Sequence, residues 1–264
     1  MCCGTDPDAN FAQAQKWIRK AAADGAKFIA TPENTNLLQM DRCLLLRQIC
    51  TQDEDPILRQ FCGLAKALNI TLLLGSLAIR VSKNKAANRS FVISPDGKIS
   101  AQYDKIHLFD VQISSKQVWR ESDHIQPGHT AIVTDIGAAK LGLSICYDLR
   151  FAKLYRQLAE AGAQILAVPA AFTRTTGKAH WQTLLQARAI ETASFVIAPA
   201  QGGTHVDGRK TWGHSMVIDP WGKVIAELQH DHPGVLLADI DLALVAKTRA
   251  RIPVLEQTQE FDGP

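Results

Sequence analysis

The sequence predicts an α/β protein folded as a four-layer α-β-β-α sandwich with pseudo-twofold related halves. Two repeated segments and the alternation of helix and strand patterns carry that prediction. Gly25-Ala26-Lys27-Phe28-Ile29-Ala30-Thr31-Pro32 and Gly162-Ala163-Gln164-Ile165-Leu166-Ala167-Val168-Pro169 share G-A-x, two apolar residues, then A-x-P, each behind a helical pattern. Ser90-Phe91-Val92-Ile93-Ser94-Pro95-Asp96-Gly97-Lys98 is echoed by Ser215-Met216-Val217-Ile218-Asp219-Pro220-Trp221-Gly222-Lys223, in the same order after the first match. Such order suggests one unit used twice, each a sheet covered by helices and packed sheet against sheet. A TIM barrel is the alternative. The 264 residues, 46% of them apolar, read as one domain over 1–264, since no low-complexity linker divides them.

The first helix spans about 8–24, with Phe11, Ala14, Trp17, Ile18 and Ala21 on one face, Pro7 near its first turn and Gly25 as terminator. The strand 27–31 is closed by Pro32, which cannot donate to a ladder, so Glu33 falls just beyond a strand's carboxyl end. Asp55-Pro56 opens a helix to about 68. Strands follow at 71–79, 90–93 and 99–103, the last two joined by the turn Ser94-Pro95-Asp96-Gly97. Residues 105–130 read as irregular. Strands at 131–136 and 140–145, a helix at 151–161 and a strand at 165–168 come next. A helix at 180–192, strands at 195–199 and 235–240 and a helix at 242–250 complete the pattern.

Twenty-nine basic against 26 acidic side chains give a net charge of +3, with no like-charge block, so nucleic acid is not an expected partner. No apolar run reaches the roughly 18 residues that a membrane span needs. The start, Met1-Cys2-Cys3-Gly4, has neither an export nor a myristoylation pattern, so the expected compartment is the cytoplasm. Six cysteines there are expected as free thiols, with Cys43, Cys50 and Cys62 as small core hydrophobes.

Cys146 ends the apolar run Leu141-Gly142-Leu143-Ser144-Ile145 where a helix should begin, and helix N-termini favour thiolate and bind oxyanions. An inert strand-end cysteine is the bland reading. Lys105, within Tyr103-Asp104-Lys105-Ile106-His107-Leu108, and Glu33, within Pro32-Glu33-Asn34, are each readable as an ordinary surface charge. Gly142-Leu143-Ser144-Ile145-Cys146 lacks the last glycine of a serine elbow. Gly202-Gly203 lacks phosphate-loop and dinucleotide spacing, no H-E-x-x-H occurs, and no cofactor or metal is expected.

Pro32-Glu33-Asn34, Tyr103-Asp104-Lys105-Ile106-His107-Leu108 and Leu143-Ser144-Ile145-Cys146-Tyr147-Asp148-Leu149-Arg150-Phe151 resemble, in order and spacing, three segments of the nitrilase superfamily of carbon–nitrogen hydrolases. Likeness continues through Arg120-Glu121-Ser122-Asp123, Gln186-Ala187-Arg188-Ala189-Ile190-Glu191 and Gly213-His214-Ser215-Met216, so it covers nearly the whole chain. Within the superfamily the chain is most similar to the branch of deaminated glutathione amidases and omega-amidases. The resemblance implies Glu33 as general base, Lys105 as the cation beside a developing oxyanion, Cys146 as nucleophile and Glu121 as an orienting acid. It implies hydrolysis of a small carboxylate-bearing amide to acid and ammonia through a thioester. The backbone N–H of Tyr147 is the expected second oxyanion donor.

N-carbamoyl or nitrile hydrolysis, amide acyl transfer and a non-catalytic interaction module are the alternatives. Arg150 is expected either to bind a substrate carboxylate or to pair with Asp148 or another acid. Phe172, Thr173 and Arg174, beyond a strand end, are expected to line the pocket. His180, His205 and His214 read as structural histidines more readily than pocket groups. The family further implies a homodimer or higher homo-oligomer. It also implies a β-strand ahead of the segment that matches Met1-Cys2-Cys3; without it, unpaired sheet-edge groups are expected to lower stability unless another segment covers them.

Overall fold

The computed structural model describes every residue except Ser115, Lys116, Thr258, Phe261 and Pro264, and leaves the side chains of Ile113, Ser114 and Gln117 aside. The first half is built by α1 (Pro7–Ala23), β1 (Phe28–Ala30), α2 (Arg42–Gln48), α3 (Pro56–Leu68), β2 (Thr71–Arg80), β3 (Ala86–Ile93) and β4 (Ile99–Asp104). Asp6 caps α1 by accepting from the N–H groups of Asp8 and Ala9, and Asp55 caps α3 by accepting from Leu58 N–H. The sheet runs β1-β2-β3-β4, with β1 parallel to β2 and the rest antiparallel. Its β3–β4 turn closes on Gly97 at φ +83°, where Cβ-bearing residues are strained.

Alternation along these strands sorts the side chains into two layers. Leu72, Leu74, Phe91 and Ile93 pack against Phe11, Ile18, Phe61 and Leu64 of α1 and α3. Leu73, Val92 and Tyr103 belong to a second core with Leu143, Leu166, Val196 and Ile218 of the other sheet. Fully burying an aliphatic side chain stabilises by about 1.5–3 kcal/mol, so this two-sided burial fixes the register of β2 and β3 against slippage.

The second half contains β5 (Asp110–Ser114), β6 (Gln117–Arg120), β7 (Val133–Asp135), β8 (Lys140–Leu143), α4 (Ala152–Glu160), β9 (Ile165–Ala167), α5 (Arg174–Thr192), β10 (Phe195–Ala198), β11 (Gly202–Thr204), β12 (Lys210–Trp212), β13 (Met216–Ile218), β14 (Val224–Glu227) and α6 (Ala243–Arg251). Its main sheet runs β14-β13-β10-β9-β8-β7. Leu154, Tyr155 and Leu158 of α4 and Trp181 and Leu185 of α5 cover it. The order is therefore helices, sheet, sheet, helices, the expected sandwich. The repeated prolines meet at its centre: a Cβ on Gly75 would lie 2.5 Å from Pro169 Cβ and 2.5 Å from Pro32 O.

Three expectations need correction. The segment 105–130 holds the β5–β6 hairpin; Asp110-Val111-Gln112-Ile113-Ser114 does alternate, but over only five residues with no glycine or proline turn beside it. Helix α5 starts at Arg174 rather than 180, because Thr173 caps it by accepting from Thr176 N–H; the low-propensity Thr-Thr-Gly stretch hid that start. Val235–Ile240 is not a strand. It faces β1 across a cleft of about 830 Å³, so its backbone has no ladder to join. The outer edge of β1 has no strand partner among the described residues.

Candidate active site

Each of the main site groups sits where a strand stops. Pro32 ends β1 and the chain turns so that Glu33 is 3% exposed, its Oε2 accepting from Ala171 N–H at 2.8 Å beyond the end of β9. Gln201, from the end of β10, donates to the Glu33 carbonyl at 3.0 Å and fixes this turn to the other half. Lys105 follows β4 and is 2% exposed. Cys146 follows β8, with its N–H bonded to Pro169 O at 2.9 Å and its backbone held at φ +52°. That left-handed backbone strains a side-chain-bearing residue and is typical of positions over-determined by their surroundings.

These three residues, far apart in sequence, share one pocket with Glu121. Lys105 Nζ lies 2.9 Å from Glu33 Oε1 and 2.9 and 3.1 Å from the Glu121 oxygens. Asn88 on β3 donates through Nδ2 to Glu33 Oε1 at 2.9 Å and Glu121 Oε1 at 3.2 Å. Glu121 also accepts from Phe109 N–H at 2.7 Å. One ammonium and one amide thus hold two carboxylates that would otherwise repel.

The electrostatics follow from burial and neighbours. Burial pushes the Glu33 carboxyl up, but Lys105 and hydrogen bonds from Cys146, Lys105 and Asn88 outweigh it and hold the group below the ordinary carboxylate range. Burial pushes Lys105 down, yet Glu121 and Glu33 keep it protonated well above the ordinary lysine range. Burial and then the Glu33 carboxylate push the Cys146 thiol well above the ordinary range, more than Lys105 lowers it. The thiolate-favouring helix start expected from sequence is therefore corrected: Cys146 opens only a five-residue 3₁₀ turn, Cys146–Arg150. Burial and the Glu33 charge thus favour the thiol form of Cys146. The Tyr147 N–H in that turn has no acceptor among the described residues.

Asp148 is buried beneath, accepting from Tyr103 Oη at 2.7 Å, Ile145 N–H at 2.9 Å and His107 N–H at 2.9 Å, with His107 Nδ1 at 2.7 Å. Among the described residues Arg150 pairs with neither Asp148 nor another acid. Arg150 instead lies 5.5 Å from the Phe172 ring centroid and 5.8 Å from that of Tyr147, 3.2 Å from His180 Nδ1, and lines the pocket. Phe172 and Thr173 line it too. Arg174 does not: it pairs with Asp231 at 2.5 Å, because the cap on α5 turns it away. His205 is held by Cys3 O and Thr211 Oγ1, and His214 by Glu227 and the Trp212 ring, both structural.

The pocket holds about 470 Å³ and is also lined by Asn88, Phe109, Trp119 and Arg209, none of which sequence reasoning singled out. Asn88 left a readable trace, a polar residue inside an apolar strand. Arg209, in a loop, left none. Cys43 is exposed rather than a core residue. A thiol in one pocket with a buried carboxylate, an ammonium and a free N–H is equipped to add sulfur to a carbonyl carbon and stabilise the oxyanion.

The carbon–nitrogen hydrolase family model matches residues 3–250. A deaminated glutathione amidase of Synechocystis sp. is 39% identical over 253 residues, 94% of this chain and 91% of the relative. One of Dictyostelium discoideum is 40% identical over 256 residues, 93% of this chain and 87% of the relative. Among solved structures, the C. elegans NitFhit protein superposes with a TM-score of 0.90 at 35% identity over 98% of this chain, which spans 63% of that longer one. The family model, these relatives and the superposed fold together make the chain a member of the carbon–nitrogen hydrolase family and an amide-hydrolysing enzyme.

Proposed function

We propose that Cys146 is the nucleophile, Glu33 the general base, Lys105 the oxyanion-facing cation and Glu121 the acid that orients Lys105, and that the substrate is a small carboxylate-bearing amide. The observation that carries this reading is the convergence of Lys105 Nζ on Glu33 and Glu121 at 2.9 Å in the pocket that also holds Cys146. Glu33 takes the thiol proton as sulfur bonds to the amide carbon, and the oxygen's new charge is met by Lys105 and Tyr147 N–H. The C–N bond breaks as Glu33 returns that proton to nitrogen, leaving a thioester. Water, deprotonated by Glu33, then releases the acid and the thiol.

Deaminated glutathione is the preferred substrate and α-keto acid omega-amides come next. The names of these two relatives support the first choice, and the arginines around the pocket support an anionic substrate. With deaminated glutathione the departing amine is cysteinylglycine; with a primary amide it is ammonia. The test is a panel of deaminated glutathione, α-ketoglutaramate, simple amides, N-carbamoyl amino acids and nitriles. Cys146→Ala is expected to abolish turnover, and Glu33→Gln or Lys105→Ala to lower it by orders of magnitude; full activity in any of them refutes the assignment.

A cytoplasmic homo-oligomer belongs to the same reading. Ile190 on α5 and Trp221 beside it are 55% and 51% exposed, which supports an outer-layer contact. Light scattering gives the subunit number.

A further inference from the structure

Two side chains on the pocket wall have no use in the chemistry above. Trp119 on β6 and Arg209, just before β12, both line the pocket. The Arg209 guanidinium carbon lies 5.2 Å from the Trp119 ring centroid. Trp119 Nε1 and Arg209 Nε are both buried with no hydrogen-bond partner among the described residues. Indole and guanidinium nitrogens can only donate, and a buried donor without an acceptor is costly. Two such donors side by side call for an acceptor from outside the protein, and the guanidinium calls for an anionic one. Among the described residues Arg209 makes no ion pair: its backbone N–H bonds Asp207 Oδ1 at 3.0 Å, but the other Asp207 oxygen, also buried, meets no donor and so does not serve the guanidinium. Arg42 and Arg120 line the same pocket but are exposed, so water already serves them.

Resting on the functional reading above, we propose that Trp119 Nε1 and Arg209 form a carboxylate cradle for the amine portion of the substrate, separate from Arg150. Deaminated glutathione carries one carboxylate on each side of the scissile amide. Arg150, on the turn of Cys146, takes that of the acyl portion; Arg209 and Trp119, on separate hairpins, take the carboxyl terminus of the departing dipeptide. This makes the pair a specificity device. It separates an N-substituted amide ending in a carboxylate from a primary amide of the same acid.

The experiment compares kcat/KM for deaminated glutathione and α-ketoglutaramate in the wild type, Arg209→Met, Arg209→Lys and Trp119→Phe. Losing a charge-assisted bond is expected to lower the ratio between the two substrates about ten- to hundredfold in Arg209→Met, mainly through KM. Arg209→Lys restores part of it, and Trp119→Phe lowers it several-fold. Deaminated glutathione amidated at its glycine carboxylate loses a similar factor with the wild type and little further with Arg209→Met. That arm also serves if the variants fold poorly. If the wild type cleaves both substrates and Arg209→Met changes both equally or neither, or if the amidated substrate reacts as well as the acid, the cradle is refuted and the functional reading stands. If the wild type cleaves neither, the functional reading itself falls.

Discussion

Replacing Lys105 by methionine removes, among the described residues, the only cation in contact with both the buried Glu33 carboxylate and the partly buried Glu121 carboxylate. Its Nζ sits 2.9 Å from Glu33 Oε1 and 2.9 Å from Glu121 Oε2, and Lys105 and Glu33 are both almost fully buried. Removing one partner of a buried pair costs about 3–5 kcal/mol, because the charge left behind is uncompensated. At about 2–4 °C per kcal/mol for a chain of this size, the melting temperature at pH 7–8 falls by roughly 10 °C. In the wild type, Glu33 has a depressed folded pKa, so its stabilisation is present above the ordinary carboxylate value and is lost as pH falls through the folded one. In Lys105→Met the strongest remaining influence on Glu33 is burial, which raises the folded pKa above the unfolded one. Its stabilising protonated form is then present at low pH and lost as pH rises through the folded value. The gap between the two melting curves should therefore narrow from pH 8 to pH 5 in differential scanning calorimetry. Turnover in the same variant falls by at least about a hundredfold. Equal melting temperatures, or a gap unchanged with pH, would refute the charge arrangement.

With Glu33 ionised below the ordinary carboxylate range, and Cys146 and Lys105 losing protons only above theirs, kcat/KM should stay level between pH 6 and 9; an inflection near the ordinary thiol value of about 8.5 would contradict a resting thiol. Arg150→Met should raise KM for α-ketoglutaramate about tenfold or more with a smaller change in kcat, and steady-state kinetics will separate the two. Gly75→Ala places a methyl 2.1 Å from Thr31 O and 2.5 Å from Pro169 Cβ, so it should destabilise by about 1–3 kcal/mol and lower kcat by parting the strand ends that carry Glu33 and Ala171; thermal denaturation and kinetics on one sample check both.

The parts of the fold written in short-range periodicity were legible. The A-x-P repeats, the Pro-Asp-Gly and Pro-Trp-Gly turns, and helix faces such as Phe11, Ala14 and Ile18 needed only local rules. Position places Glu33 past the strand that Pro32 stops and Cys146 at the end of an apolar run; the roles expected of both, and of Lys105, rest on the resemblance of their three segments to the nitrilase superfamily. What escaped was set by distant partners. Arg174 was assigned to the pocket by chain position, but Asp231, 57 residues on, draws it elsewhere. Arg209 and Trp119 meet through two hairpins whose strands are only three to five residues long, too short for a periodicity to place them. The protonation of Cys146 depends on a carboxylate 113 residues upstream, and a rule about helix starts has no access to that.

On the proposed mechanism Cys146 keeps its proton until a carbonyl is in place, which matters in an oxidising or electrophile-rich medium. Peroxides and simple alkylators attack the anionic form, so exposed Cys43 rather than buried Cys146, the proposed nucleophile, should be their first target. Inhibitors of this enzyme must accordingly imitate the amide well enough to trigger proton removal, since indiscriminate warheads will be spent on the wrong cysteine.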